Sequence, residues 1–501
     1  MRYLLTLDLG TTSVKTCVFD EDFSMEGYSC EEYKLLTPYP GIVELEPEIY
    51  WNASKRGIKA VLAHSGINPR DVCAITITAQ GETLIPVDFY GRPLHNAVVW
   101  LDSRAEEEAA LISSAFSPDE IYRTTGMSEI GPACPASKLF WFKRNEREVS
   151  LKTHKFLLLM DFIAYKLTGQ FLTDRCITSS TGYLNINTGE LWKDMLDFIG
   201  VHYDKIPSLF DCGTNCAGIL PEVADQLGLN PGIIIATGGM DQASSAIGAG
   251  NIADGIISET TGTALVVAAT SDAPDYDNPV KLNIMRHAVK GKYLILPYNQ
   301  TAGMALKWFR DEFCTDEINC CETEGKSVYA CLDDMAGRVS PLSNGILFLP
   351  HLAGMLTPEV NPSVKGVFFG AGLDTGKSHF IRSILEGVAY MLRENVEMLE
   401  DMGVRVDEIR SLGGGSKSVL WCEIKADINK RRIHTMVQDE STSLGAAILG
   451  SLAAGIYGGI VEACKAVKIK KNYKPNVENS VLYEQGYEKY KKLYNSLREM
   501  F

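Results

Sequence analysis

Apolar positions along the chain cluster in short β-branched runs that break at glycine- and hydroxyl-bearing turns, and longer stretches of helical spacing separate these runs. Residues 3–7 and 16–19 are such runs, and they flank Asp8-Leu9-Gly10-Thr11-Thr12-Ser13-Val14. The pattern predicts strand, tight turn, strand. A third strand is expected over 30–36, a Pro/Gly/Glu loop over 38–47 and a helix over 49–63. Residues 72–78 (VCAITIT) read as a buried strand that runs into the polar pentad Ala79-Gln80-Gly81-Glu82-Thr83 before strand character resumes at 84–88. The run 96–104 ends in Asp102 and Arg104, an expected ion pair. Helical spacing returns at 137–145, 155–168 and 192–199, the last closed by Gly200 as a stop signal.

The second half restarts the pattern. Residues 233–237 form a short apolar strand, Gly238-Gly239-Met240 a flexible turn, and 241–246 the opening of a small-residue helix. Strand, turn and strand recur at 256–259, Thr260-Thr261-Gly262-Thr263 and 264–269. This echo of the opening hairpin suggests a duplicated domain with a nucleotide between the copies. Further on come a strand at 293–297, a helix at 301–311, a strand at 345–350, a loop at 351–358 and a long helix at 383–402. A strand at 409–412 leads into Gly413-Gly414-Gly415-Ser416-Lys417-Ser418 and a helix at 420–429. The small-residue helix at 441–456 suits packing between domains.

Composition narrows the class. A chain of 501 residues exceeds what one core supports, so at least two domains are expected. A net charge of −15 argues against a nucleic-acid or acidic-membrane surface, and the lysines of 465–474 read as a solvated face. The thirteen cysteines include no CxxC pair, and adjacent Cys320 and Cys321 suit a structural disulfide poorly. Reduced thiols in a cytosolic protein are the expectation. No stretch reaches the roughly 20 apolar residues of a membrane span. A soluble, cytoplasmic protein is expected.

The turns carry the candidate chemistry. In the first, backbone N–H groups lie beside three hydroxyls, which makes an anion site suited to phosphate, with Asp8 placed to share a Mg²⁺. Asp241 reads either as a plain N-cap or as a carboxylate delivered to a cleft at a strand end. The glycine run at 413–415 lets the next helix start approach a phosphate or ribose closely.

From residue 4 to about 456 these segments resemble the FGGY family of carbohydrate kinases, in the family's order. DLGTTSVK at 8–15 looks like the first phosphate segment, GGMDQ at 238–242 like the catalytic segment, and 260–263 like the second phosphate segment. GGGSKSVLWCEIKADI at 413–428 is similar to the adenosine segment, especially of xylulose kinases. The resemblance implies an α/β fold of two actin-like, ribonuclease-H-like domains flanking a deep cleft, divided into residues 1–247 and 248–501. It implies ATP-dependent phosphorylation of a sugar or polyol hydroxyl, with Mg²⁺. Asp241 would be the general base, and Gln80, Gly81, Glu82, Asp241 and Gln242 would hold the substrate. Asp8 and Asp241 would sit near the metal. Thr11, Thr12, Ser13, Lys15 and Thr263 would cradle phosphates, and Gly303, Lys307, Gly414, Gly415 and Ser418 would line the adenine-ribose pocket.

Departures from the family pattern bear on the substrate. Glycerol kinases carry Asn-Gln-Arg-Glu where this chain has Ala79-Gln80-Gly81-Glu82, and a tyrosine near the position of Ala133. Both losses argue against glycerol. Xylulose kinases carry Gly-Gln-Met-His, so Gln80 matches while Gly81 and Glu82 depart. Glu82 can accept two hydroxyl hydrogen bonds, and Gly81 leaves space for a longer substrate. Met355 and Leu356 replace a usual charged pair. The expected acceptor is a xylulose-type pentulose, with erythritol-, ribulose- or glycerol-type substrates and a non-catalytic sugar sensor as alternatives. A homodimer is compatible with all of these.

Overall fold

The computed structural model describes residues 2–501. Its first half is built on β1 (Tyr3–Leu9), β2 (Ser13–Asp20), β3 (Met25–Glu32), β4 (Val72–Ala79) and β5 (Ile234–Met240). These strands stand in the order β3-β2-β1-β4-β5. β1 pairs antiparallel with β2 and parallel with β4, and β4 pairs parallel with β5. Helix α1 (Asp241–Gly248) follows β5 directly. The second half repeats the plan with β6 (Gly255–Thr261), β7 (Leu265–Ser271) and β8 (Val406–Leu412), then helix α2 (Val419–Asn429) and β9 (Arg432–Met436). Here β6 pairs antiparallel with β7 and parallel with β8, and β8 pairs parallel with β9. Two sheets of one topology, each opened by a hairpin, define a two-domain, actin-like fold.

β1 and β4, parallel neighbours at the centre of the first sheet, are buried on both faces, which is why they read as nearly unbroken apolar runs. β4 is buried throughout except at Cys73. Helix α3 (Ser441–Ala453) belongs to the second half by sequence, yet it lies on the first sheet, where a Cβ on Gly450 would come within 2.2 Å of the Thr76 hydroxyl. α3 crosses α1 at two glycines. A Cβ on Gly248 would stand 1.9 Å from the Ser441 carbonyl oxygen, and one on Gly445 would stand 1.8 Å from that of Ser244. Ser245 and Ser441 hydroxyls meet across the same crossing at 3.1 Å. A buried cluster including Leu4, Ala74, Ala246, Ile247, Leu444 and Ile448 completes the joint between the halves.

Several sequence expectations need correction. Residues 155–168 were expected as one helix. The segment opens instead as strand Lys155–Leu158, paired with Leu84–Val87, and only then becomes helix Leu159–Thr168. Phe156, Leu157 and Leu158 form a short apolar run that periodicity cannot assign, and Asp161 accepts the Leu158 N–H at 2.8 Å to start the helix. Gly238-Gly239-Met240 is no free turn, because β5 continues through it with a register shift after Thr237 and Gly239 at φ 72°. The third strand lies earlier, at Met25–Glu32, and within 96–104 only Ala97–Val98 pairs as strand. Asp102 and Arg104 do pair, at 2.8 Å. All thirteen cysteines are free thiols. No helix among the described residues is long and apolar enough to cross a membrane.

The glycine crossing should be intolerant of even one methyl group. Gly445→Ala is expected to lower stability by about 3 kcal/mol, because backbone rather than a flexible side chain blocks the new atom. Chemical denaturation checks this, and an unchanged midpoint would contradict the packing described.

Candidate functional site

Three chain segments converge where the first sheet faces the second half. The β1–β2 turn supplies Thr11, the segment after β4 supplies Gln80, Gly81 and Glu82, and the end of β5 supplies Asp241 and Gln242. They line one cavity of about 420 Å³, whose other wall includes Asn283, Met285 and Tyr298 from the second half. The Thr11 hydroxyl donates to Gln80 Oε1 at 2.8 Å and accepts from Trp100 Nε1 at 3.0 Å. Thr11 therefore stands on the Gln80 side of the cleft. A Cβ on Gly81 would lie 3.0 Å from Ser180 Oγ and 3.4 Å from Met240 Sδ, so little empty space lies there.

Glu82 is held in a left-handed conformation, φ 68°, which an L side chain rarely adopts. The restraint is Lys138. Its fully buried ammonium donates to the Glu82 carbonyl at 3.0 Å and to the Val99 carbonyl at 2.9 Å. Burial pulls the Lys138 ammonium down to about 8, against the opposing pull of Glu82 and Asp102. Burial likewise pushes the Glu82 carboxyl up to about 7, with Asp241 adding to the rise and Lys138 opposing it.

Asp241 is the first residue of α1, and Met240 rather than Asp241 occupies the N-cap position. Its Oδ1 accepts the Gln242 N–H at 2.6 Å. Burial raises this carboxyl to about 6 against that hydrogen bond. Asp8, at the end of β1, is raised to about 7 by burial first and by Asp241 second; Lys15 lowers it and Glu440 raises it. Lys15 itself donates to Glu440 at 2.7 Å, an ion pair joining the two halves. Asp8, Thr12, Ser13 and Lys15 stand on the hairpin outside the wall of either large cavity. The turn is pinned by the Gly10 N–H to the Ser13 carbonyl at 2.9 Å and by the Tyr33 N–H to the Thr12 carbonyl at 2.9 Å.

A second cavity of about 420 Å³ gathers Thr263, Gly303, Lys307, Gly414, Gly415 and Ser418. The glycines permit close backbone approach. A Cβ on Gly303 would be 2.4 Å from the Gly262 carbonyl oxygen, and one on Gly415 would be 2.7 Å from the Thr261 side chain. Ser418 caps α2 by accepting the Trp421 N–H at 3.0 Å. Beneath, the fully buried Lys425 ammonium bridges Glu259 and the Thr261 hydroxyl, each at 2.7 Å. The β6–β7 hairpin links the cavities, with Thr263 on one and Val266 on the other. Lys307 lines this second cavity while pairing with Asp311 at 2.8 Å.

Sequence reasoning missed several lining residues. Trp100 stood within the singled-out run 96–104, where an aromatic beside two charges was the available signal. Asn283 and Tyr298 lie outside the segments singled out by pattern, and Tyr329 and Asp333 lie on the helix Val328–Gly337, which was not assigned from sequence. The Met355 departure has a structural place: Met355 is buried, and the Thr357 hydroxyl donates to the Tyr298 carbonyl at 2.9 Å, so this loop backs the strand that carries Tyr298.

A carboxylate-lined cavity and a glycine-lined cavity, joined by one of two related hairpins, define the class of two-domain kinases. The FGGY carbohydrate-kinase model for the N-terminal domain matches residues 3–248, and that for the C-terminal domain matches 257–454. The chain belongs to the FGGY family of carbohydrate kinases. It is 26% identical to a xylulose kinase of Bacillus subtilis, covering 100% of this chain and 98% of that one. It is 31% identical to a gluconokinase of Bacillus subtilis over 90% of this chain and 88% of the other. The crystal structure of a "xyloylose kinase" from Brucella ovis superposes with a TM-score of 0.90 at 26% identity, over 100% of both chains.

Removing the Lys138 ammonium would leave the Glu82 and Val99 carbonyls without their buried donor. Lys138→Met is expected to cost about 2 kcal/mol of stability and to raise KM for the carbohydrate more than KM for the nucleotide. Thermal denaturation and paired KM measurements check this; equal changes in the two KM values would contradict it.

Proposed function

We propose that this kinase transfers the γ-phosphate of ATP to a hydroxyl of an uncharged ketose or polyol, with a xylulose-type pentulose first. One observation carries the choice between the two kinds of relative. The wall of the first cavity holds Glu82 and Asp241 and no Lys, Arg or His among the described residues. The nearest buried cation, Lys138, has its ammonium directed to two backbone carbonyls. A gluconate carboxylate would thus enter beside two carboxyl groups with no cationic side chain on the cavity wall to receive it, an arrangement that burial makes costly. Hydroxyls suit it, since Glu82, Asp241 and Gln242 accept and Gln242 and Asn283 donate.

In this reading Asp241 takes the proton of the attacking hydroxyl, and its carboxyl, raised to about 6, is ionised at neutral pH and still basic enough to serve. Gln80, Glu82 and Gln242 orient the acceptor, with Gly81 shaping the turn between them. Thr12, Ser13, Lys15 and Thr263 hold phosphate oxygens, while the Thr11 hydroxyl, engaged with Gln80 and Trp100, fixes Gln80 on the acceptor side. Gly303, Lys307, Gly414, Gly415 and Ser418 hold the nucleoside. Asp8 and Asp241 are the residues that would hold Mg²⁺, whose charge would neutralise the phosphate oxygens during transfer. The fit is electrostatic: each carboxyl is raised by burial, and Asp241 raises Asp8 further, a rise that a cation held by them would offset. The family boundary near residue 247 then separates an acceptor side from a nucleotide side, and closure of the joint excludes water from the γ-phosphate.

Asp241→Asn is nearly isosteric and lacks the base. Turnover is expected to fall by roughly 100-fold or more, while calorimetric binding of the acceptor survives. Near-normal turnover in this variant would contradict the assignment.

A further inference from the structure

Below the end of β5 lies a cluster that the kinase chemistry does not use. The ligand atoms of Asp174, Cys176 and Cys212 all lie within 4.8 Å of one another. Asp174 and Cys176 are buried, and Cys212 is partly open to solvent. Asp174 is held rigidly: Oδ1 accepts the Ile177 N–H at 2.8 Å and Oδ2 accepts the Gly239 N–H at 3.0 Å. The Thr237 side chain on β5, two residues before the glycine whose N–H Asp174 accepts, also hydrogen-bonds this carboxylate. We propose that Asp174, Cys176 and Cys212 form a binding site for a thiophilic divalent cation of the zinc type, and that its occupation controls Asp241.

The donor set, one carboxylate and two thiols, is the kind that Zn²⁺ and Co²⁺ take, with a fourth position left for water on the open side of Cys212. Charge does not oppose binding. Before binding, an ionised Asp174 and two neutral thiols carry −1. The cation brings two positive charges and the thiols release two protons to solvent, so the occupied site also carries −1. Burial, Cys176 and Asp174 raise the Cys212 thiol, which keeps it unreactive until a cation displaces its proton.

The link to catalysis is the packing around Gly239. A Cβ there would lie 2.8 Å from Cys176 Sγ and 3.2 Å from Cys212 Sγ, so both sulfurs already touch this backbone. Drawing the sulfurs and the carboxylate around one ion displaces the bulged end of β5, and Asp241 follows Gly239 by two residues. The site is therefore inhibitory.

Co²⁺ titrated into the reduced, full-length protein without nucleotide or Mg²⁺ tests this. One equivalent should bind and produce a near-ultraviolet thiolate-to-cobalt absorption band, which carboxylates such as Asp8 and Asp241 cannot give. The Cys176→Ala/Cys212→Ser double variant should lose the band. Cys212→Ser alone, on the partly exposed side, should at least halve it while keeping the fold. With Zn²⁺ in excess of that chelated by ATP, turnover of the unaltered protein should fall at least fivefold more than that of Cys212→Ser. No band in the unaltered protein, an undiminished band in Cys212→Ser, or equal Zn²⁺ sensitivity would each overturn the proposal.

Discussion

The crossing of α1 and α3 at Gly248 and Gly445 is the constraint on which the rest of the structure depends. Backbone touches backbone there, so the halves sit at a separation that no larger residue allows. That separation sets Lys15 against Glu440 and brings Asn283 and Tyr298 opposite Glu82 and Asp241. Asp241 opens one of the two crossing helices, so the candidate base and the joint between domains are parts of one element.

Buried charge marks both sides of the cleft. On the acceptor side, Lys138 fixes the strained Glu82 through its carbonyl rather than its carboxylate. In the second half, Lys425 and Glu259 form a fully buried pair under Thr261, beside the glycines that line the second cavity. Breaking either would strand a polar group away from water, so both act as rigid supports beneath flexible turns. The raised carboxyls of Asp8, Glu82 and Asp241 are the converse, buried groups whose charge is only partly compensated.

Much of this architecture was legible in the chain because its chemistry is local. Strands β1, β2 and β4 were readable from buried β-branched runs, and the two related hairpins from hydroxyl-rich turns between such runs. The strand at Lys155–Leu158 was not, since a short apolar run has no period of its own. The β5 bulge was read as a turn, because two glycines look alike whether they end a strand or bend it. Of the motif residues, Thr11, Gln80, Gly81, Glu82, Asp241 and Gln242 line the first cavity and Thr263, Gly303, Lys307, Gly414, Gly415 and Ser418 the second, while Asp8, Thr12, Ser13 and Lys15 stand outside both; Asn283, Tyr298 and Asp333 arrive through tertiary packing. Lys138 was visible as a residue, but its role depends on the carbonyls of Glu82 and Val99, which no spacing reveals.

The role proposed for the first cavity is to accept an uncharged polyhydroxylated substrate for phosphoryl transfer. The most direct measurement is acceptor-dependent ADP release with Mg·ATP across pentuloses, hexuloses, polyols and gluconate. The account predicts strong stimulation by a ketose or polyol, D-xylulose first, and little by gluconate. Preferred turnover of gluconate, or ADP release that no acceptor changes, would contradict it.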